Sequence, residues 1–235
     1  MDPLPFTLLE GRIPIAAHQH VAALYRGREQ AFCLAPFLAE GLRRGDRCVY
    51  LAPLTQHAAM LERLEGLSAD PARQISTGGL RVEAGESEWK GLQALAEKTF
   101  ADAEQARAPG VRWLEDGGWA VSAGFPKPRF FEFHALLNFQ VKHYPSVALC
   151  QYDLATLNTR DLFSSIAVHR HLLLAETLVR DNPYYIPAEK FIPLSPEERE
   201  RDLLKLFREV GFDAGKLVEA LAGYRSLHGA SPQGS

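Results

Sequence analysis

The sequence predicts an α/β fold: a mainly parallel sheet flanked by helices, followed by a C-terminal helical hairpin. Three observations lead to this class. Strand and helix patterns alternate along most of the chain, which is typical of a parallel sheet with covering helices. The segment at residues 147–153, which is apolar except for Gln151 and Asp153, is the clearest buried strand. The length of 235 residues is enough for one large α/β domain with appendages.

The predicted elements follow in chain order. Besides the run at 147–153, strands are predicted near residues 20–25, 47–52, 75–82, 111–114 and 178–180. Helices are predicted near residues 29–44, from Thr55, 89–106, 129–143 and from Asn158 to about Leu174. Pro36 lies inside the first of these helices and is expected to kink it.

The first strand, turn and helix resemble a phosphate-binding loop that lacks the phosphate chemistry. A working loop of this kind needs glycines, then a lysine and a Ser or Thr. Here Gly27 is followed by Arg28, Glu29 and Gln30. Glu29 would place negative charge where a phosphate should bind. The segment therefore predicts a nucleotide-binding scaffold that serves another purpose.

The C-terminal segment reads as a helical hairpin. Ser195 and Glu198 form a capping box, with Pro196 at the first helical position. One apolar stripe follows, and a second short helix is predicted from about Asp213. The stripe consists of Leu203, Leu206, Phe207 and Val210. Such a hairpin must pack on the main domain or on a partner, and we expect self-association through residues 195–225.

Composition limits the function classes. The net charge is −3 with both signs interspersed, so no basic stripe predicts direct nucleic-acid binding. The acidic, proline-interrupted N-terminus does not resemble a signal peptide, and no apolar run approaches the roughly 20 residues of a membrane span. Cys33, Cys48 and Cys150 form no Cys-x-x-Cys pair, so no disulfide framework is indicated. A cytoplasmic protein is expected.

Several short motifs together resemble the MEDS domain. They are His20 with Leu24 and Tyr25, residues 36–42 with Gly45, residues 148–153, and residues 182–185. This is the sensory domain of the dichloromethane-responsive regulator and of methanogen and methylotroph signalling proteins. The resemblance covers about residues 12–192. It implies a RecA-like three-layer fold that binds small molecules, including hydrocarbon derivatives, beside a kinase or DNA-binding module.

The resemblance also sets the expected domain boundaries. A sensory domain is expected at 1–192, a helical tail at 193–228 and a flexible end at 229–235. The chain shows no recognisable helix-turn-helix and no kinase domain. The output of the domain is therefore expected in the tail or in a signalling-protein partner.

The candidate site lies at the carboxyl ends of the strands, where doubly wound sheets bind ligands. Tyr25, Glu115 with Asp116, Tyr152 with Asp153, and the loop at 182–185 all follow predicted strands. Simple packing of the two tyrosines is the alternative. The predicted ligand-binding residues are His20, Tyr25, Glu115, Trp119, Cys150, Tyr152, Asp153, Asn182 and Tyr184.

The spacing of the histidines and the setting of the cysteines do not favour a metal site. His169 and His171 are two residues apart on a predicted helix, so their side chains diverge. His18 and His20 share a strand face but are an incomplete set. A site that takes one histidine from each pair stays open. Cys150 is predicted to behave as a small buried hydrophobe, with a redox or covalent role as the alternative.

These observations predict a non-catalytic domain that senses a small apolar organic molecule, with no cofactor and no metal. Two alternatives stay open. One is a nucleotide-binding or ATP-hydrolysing RecA-like enzyme, because residues 111–116 resemble the magnesium-holding strand of such enzymes; the missing lysine argues against it. The other is a pure protein-interaction module that uses the apolar tail.

Overall fold

The computed structural model describes residues 6–9, 11–27, 30, 32–174 and 177–209, and it confirms the α/β class. Its strands are β1 (Thr7–Leu9), β2 (Ile13–Ile15), β3 (Gln19–Tyr25), β4 (Arg47–Leu51), β5 (Leu80–Glu83), β6 (Val111–Asp116), β7 (Ser146–Asp153), β8 (His171–Leu174) and β9 (Thr177–Val179). Its helices are α1 (Ala35–Arg44), α2 (Leu54–Gly66), α3 (Pro71–Ser76), α4 (Trp89–Gln105), α5 (Gly118–Ser122), α6 (Lys127–His143), α7 (Thr159–Val168), α8 (Ala188–Phe191) and α9 (Pro196–Glu209). Within the described ranges, none of these helices has the length and apolar character needed to cross a bilayer.

The central sheet has the strand order β5-β4-β6-β7-β3-β8-β9, and only β9 runs antiparallel to its neighbour. Each face of the sheet is covered by its own apolar core. Side chains from α4, α5, α6 and α7 cover one face, and side chains from α1, α2 and the small β1–β2 ribbon cover the other. We call these the α6 face and the α1 face. The RecA-like assignment stays a prediction.

Three element boundaries differ from the sequence predictions, each for a local reason. Pro36 lies in the first turn of α1, where the missing N–H costs nothing, so it starts this helix instead of kinking it. Ile75 belongs to α3, and the next strand begins only at Leu80, after Gly78 takes a left-handed φ of 74°. Helix α7 ends at Val168, and the predicted continuation of this helix forms β8.

The predicted capping box at the start of α9 is confirmed. The backbone N–H of Ser195 donates to Glu198 Oε2 at 2.8 Å, and the N–H of Glu198 donates back to Ser195 Oγ at 3.2 Å. Helix α9 packs on its own domain, since Leu203 is buried and Arg199 donates to Glu132 Oε1 at 2.8 Å. The second predicted helix, from Asp213, lies outside the described residues. Self-association through 195–225 stays a prediction.

Candidate functional site

The sheet divides the predicted site residues between its two faces. Side chains alternate along a strand, and Ala22 pairs with Cys150, which in turn pairs with Glu115. Together with the core composition, this register places one set on the α6 face and the other on the α1 face. The α6 face receives His20, Glu115, Cys150 and Tyr152, whereas Tyr25, Asp116 and Asp153 belong to the α1 face.

On the α1 face, Tyr25, Asp116 and Asp153 all take part in hydrogen bonds within the protein. The Tyr25 hydroxyl donates to Asp116, which also accepts the N–H of Gly118 at 2.9 Å. Burial raises the pKa of Asp116. Asp153 accepts the backbone N–H of Gly27 at 3.2 Å. The amide that a phosphate-binding loop would direct toward a phosphate therefore already donates to a carboxylate.

On the α6 face, three histidines and a cysteine converge inside the domain. We call His20, His134, Cys150 and His169 the His/Cys cluster. One donor atom from each residue lies within 4.8 Å of the others, and all four side chains are buried. His20 Nε2 is 3.2 Å from Cys150 Sγ, and His134 Nδ1 is 3.6 Å from the same sulfur. The cluster thus contains one histidine from each sequence pair, His20 and His169, together with His134 and Cys150.

Two helices set the positions of the cluster histidines. His134 lies in α6, and His169 directly follows the last residue of α7. Asn138 joins the two helices, because its Nδ2 lies within donating distance of the carbonyl oxygens of His134 (3.0 Å) and Val168 (2.9 Å). His169 Nδ1 lies 2.6 Å from the carbonyl oxygen of Ser165, so this nitrogen carries the proton and Nε2 is left as an acceptor.

Glu115 lies beside the cluster and is fully buried. Its Oε2 accepts the indole N–H of Trp113 at 2.9 Å, and its Oε1 accepts that of Trp119 at 2.7 Å. His134 Nε2 is 3.2 Å from Oε1, within ion-pair distance if this imidazole is protonated. Glu115 is therefore a carboxylate inside the core that accepts two indole N–H groups and lies beside His134.

The surroundings oppose charge on the other polar groups of this face. Burial, and next the neighbouring histidines, lower the pKa of His20 and His169 well below the ordinary value. Burial, and then Glu115, raise the pKa of the Cys150 thiol. Burial also raises the pKa of Tyr152, whose hydroxyl has no hydrogen-bond partner among the described residues.

Asn182 and Tyr184, the two predicted site residues after β9, lie in different environments. Asn182 is buried, and its Nδ2 donates to the carbonyl oxygens of Ile166 at 2.7 Å and His169 at 2.9 Å. Its Oδ1 accepts the N–H of Tyr184 at 3.0 Å. Asn182 therefore fixes the end of α7, and through it His169. Tyr184 is half-buried and packs against the core of the α6 face.

Comparison with known proteins identifies the family. The family model "MEthanogen/methylotroph, DcmR Sensory domain" matches residues 19–170, which is more than half of the chain. The chain belongs to the MEDS family. It is also 27% identical over 157 residues to the transcriptional repressor DcmR of Methylorubrum extorquens. That alignment covers 66% of this chain and 59% of the repressor.

The family match places this chain among sensory domains, and the protein to which it is similar is a transcriptional repressor. The match also confirms the resemblance to the MEDS domain that the sequence motifs indicated. The sensory match ends at residue 170, so β8, β9 and the tail lie beyond it. All four members of the His/Cys cluster lie within the matched residues.

Sequence reasoning missed three residues of this site: His134, Asn138 and Trp113. The sequence did contain a signal for His134. His134 is four residues after Phe130 and three before Leu137, so it lies on the predicted apolar stripe of α6, where a polar residue has to find a buried partner. Trp113 offered no such signal, because an apolar side chain is ordinary inside a central strand.

The MEDS domain should lose stability as the pH falls below about 6.5, the ordinary pKa of histidine. His20 and His169 have lowered pKa values in the folded state, so below that pH the unfolded chain binds more protons. Each group contributes up to about 1.4 kcal/mol per pH unit, while the raised pKa of Asp116 acts in the opposite direction at lower pH. Urea unfolding at about pH 7.5 and about pH 5.5 measures the decrease. The decrease should be weaker in His169→Gln, and equal stability at both pH values would contradict the prediction.

Proposed function

We propose that this MEDS domain senses a small, mainly apolar organic molecule carrying one hydrogen-bonding group, without catalysing its conversion. In this proposal the molecule binds on the α6 face beside Glu115, Trp119 and Tyr152. The observation that carries the proposal is the Tyr152 hydroxyl, which is buried and lacks a hydrogen-bond partner among the described residues. A buried polar group left in this state costs about 1–3 kcal/mol, which a ligand could recover.

The surroundings of Tyr152 support an apolar ligand with a small polar end. Its ring centroid lies 6.3 Å from that of Phe130 and 5.6 Å from that of His169, in edge-on arrangements. Trp119 is itself flanked by Phe125 and Phe130 at 5.3 and 5.6 Å. Apolar walls with a few convergent polar groups are typical of small-molecule sites. Trp119 and Tyr152 are buried, so entry of a ligand requires side chains to move apart.

Trp119 connects the buried site with elements nearer the surface. It lies in α5, directly after β6, and its indole donates to Glu115. The loop at 84–88 lies against this indole: a Cβ added at Gly85 would come within 3.0 Å of Trp119 Cδ2. A ligand that displaces Trp119 would therefore also shift α5 and the loop at 84–88. In this proposal, the shift of α5 and of the loop changes the surface that a partner or the tail contacts.

The nucleotide-binding alternative has weaker support. It needs a free backbone amide in the turn after β3 and an acidic group available for magnesium at the end of β6. The N–H of Gly27 instead donates to Asp153, and Asp116 accepts the hydroxyl of Tyr25. The interaction-module alternative rests on the tail, whose described helix covers its own domain through Arg199 and Leu203.

The proposal is tested by a thermal-shift screen of short alcohols, ketones and halogenated hydrocarbons. Binding to the folded state raises the melting temperature by mass action, so at least one compound should stabilise the wild-type domain. Tyr152→Phe removes only the hydroxyl, and we expect it to weaken the affinity for such a compound roughly tenfold while the fold persists. Quenching of the Trp113 and Trp119 fluorescence would report binding beside Glu115.

Tyr50→Phe is the matched control. Tyr50 is also a fully buried tyrosine in a central strand, but it belongs to the α1 face and its hydroxyl donates to Gln56. This variant should bind the compound with wild-type affinity. Equal losses in both variants, or a stabilising compound indifferent to Tyr152→Phe, would place the ligand elsewhere.

A further inference from the structure

We propose that His20, His134, Cys150 and His169 bind one divalent late transition-metal ion, zinc in the first place, in a closed tetrahedral site. The site lies inside the α6 face, and the proposal is independent of the organic ligand. It goes beyond the sensory assignment of the family, because it concerns the chemistry of these four side chains. The carrying observation is their convergence, with one donor atom from each within 4.8 Å of the other three.

The distances suit tetrahedral coordination. With Zn–N near 2.1 Å and Zn–S near 2.3 Å, neighbouring donor atoms lie about 3.3–3.6 Å apart. Cys150 Sγ is already 3.2 Å from His20 Nε2 and 3.6 Å from His134 Nδ1. The longest separation, at most 4.8 Å, needs a contraction of about 1 Å, which small rotations of the four side chains can supply.

Metal-binding histidines usually have a hydrogen-bond partner for the second ring nitrogen, and His169 meets this condition. His169 Nδ1 is held by the carbonyl oxygen of Ser165, which leaves Nε2 to face the cluster without another partner among the described residues. His134 Nε2 faces the Glu115 carboxylate at 3.2 Å, which leaves Nδ1 toward the sulfur. The second nitrogen of His20, Nδ1, is buried and has no hydrogen-bond partner among the described residues.

The charges balance when a divalent ion binds. Glu115 places a buried carboxylate beside the cluster, and its hydrogen-bond donors, Trp113 and Trp119, are neutral. Binding of the metal breaks the S–H bond of Cys150, forms a metal–sulfur bond and releases one proton to solvent. One dication, one thiolate and one carboxylate then sum to zero. A buried carboxylate without a compensating cation would be costly.

The donor set favours zinc over harder ions. Three imidazoles and one thiolate are borderline-soft ligands, which suit zinc and cobalt, whereas magnesium and calcium prefer oxygen. Four protein ligands close the coordination sphere, as in structural zinc sites. In this place the ion would link β3, β7, α6 and the end of α7, and would order the α6 face around Glu115.

The test is cobalt titration of the full chain after dialysis against a chelator under reducing conditions. We expect one Co²⁺ per chain, with the visible absorption of tetrahedral cobalt and a thiolate-to-cobalt charge-transfer band. Cys150→Ser should abolish the charge-transfer band, and His169→Gln should weaken binding by at least about tenfold. Zinc should displace the cobalt, and zinc added to the metal-free protein should release the Cys150 proton.

The chain provides matched controls. Cys48→Ser changes another buried cysteine, on the α1 face, and His171→Gln changes the other histidine of the C-terminal pair. Both should bind cobalt like the wild type. Absence of stoichiometric binding in the folded wild type, an octahedral spectrum, or equal losses in Cys48→Ser and Cys150→Ser would overturn the metal site. Circular dichroism of every metal-free variant separates loss of ligation from loss of fold, and a negative result leaves the binding of organic compounds to be judged by its own screen.

Discussion

Replacing Arg112 by methionine is expected to lower the free energy of unfolding by roughly 3–5 kcal/mol, because it leaves the buried Asp46 carboxylate without its closest cation. Arg112 is fully buried in β6. Its Nε donates to Asp46 Oδ2 at 2.8 Å, and its Nη1 donates to Glu40 Oε2 at 3.0 Å. Asp46 is almost fully buried as well, so water cannot replace the lost partner.

The packing around Arg112 adds to this effect. Its guanidinium lies over the rings of Phe6 and Phe37, at 5.1 and 4.9 Å from the centroids. Gly41 makes room for the side chain, since a Cβ there would overlap Arg112 Cδ and lie 2.9 Å from Cys48 Sγ. The α1 face is therefore assembled around one arginine.

Thermal and urea unfolding measure the loss, which corresponds to a decrease of roughly 6–20 °C in melting temperature for a chain of this size. Arg81→Met is the matched control. Arg81 also bridges two acidic residues, Glu83 and Asp102, but all three side chains are partly exposed. It should change stability by about 1 kcal/mol or less. Similar losses in both variants would show that burial of the ion pair is not what matters.

Asn182→Ala is the second large effect that we expect, at roughly 2–5 kcal/mol. The substitution leaves the carbonyl oxygen of His169 without the amide that donates to it, and leaves that of Ile166 with only the N–H of His169 at 3.4 Å. Both lie at the buried end of α7, and each unsatisfied buried group costs about 1–3 kcal/mol. Urea unfolding measures the effect on stability. Cobalt binding should weaken as well, since Asn182 positions His169.

Asn158→Ala provides the comparison at the other end of the same helix. Asn158 caps α7 by accepting the N–H of Asp161 at 2.9 Å, and loss of such a cap costs about 1 kcal/mol. It should leave the His/Cys cluster unchanged. If Asn182→Ala instead keeps full stability and removes the binding of organic compounds alone, then Asn182 contacts the ligand, as the sequence predicted.

The local features of this protein could be predicted from its sequence. The predicted strand at 147–153 lies within β7, because apolar residues on both faces are typical of a strand buried on both sides. Asn158 and the Ser195–Glu198 capping box lie at helix starts, since capping depends on groups a few residues apart. The alternation of such elements was enough to predict the α/β class.

The candidate site could be predicted only in part. His20, Glu115, Cys150 and Tyr152 were identified through strand ends and family motifs, and the structure brings them together on the α6 face. Tyr25 and Asp153 were expected in the same site, but side chains alternate along a strand, which places them on the opposite face. The choice between faces depends on register and on which helices cover each side.

The sequence by itself determined the class of the fold, the helix starts and the family of this MEDS domain, because these depend on composition and on neighbours along the chain. The tertiary structure alone decided that His20, His134, Cys150 and His169 meet. His20 and Cys150 are 130 residues apart, and only the parallel pairing of β3 with β7 brings them within 3.2 Å. The spacing of two residues argued against His169 and His171 as a metal pair, and His18 with His20 formed an incomplete set. Folding brings together one member of each pair, because packing of α6 and α7 on the sheet selects partners by position in space.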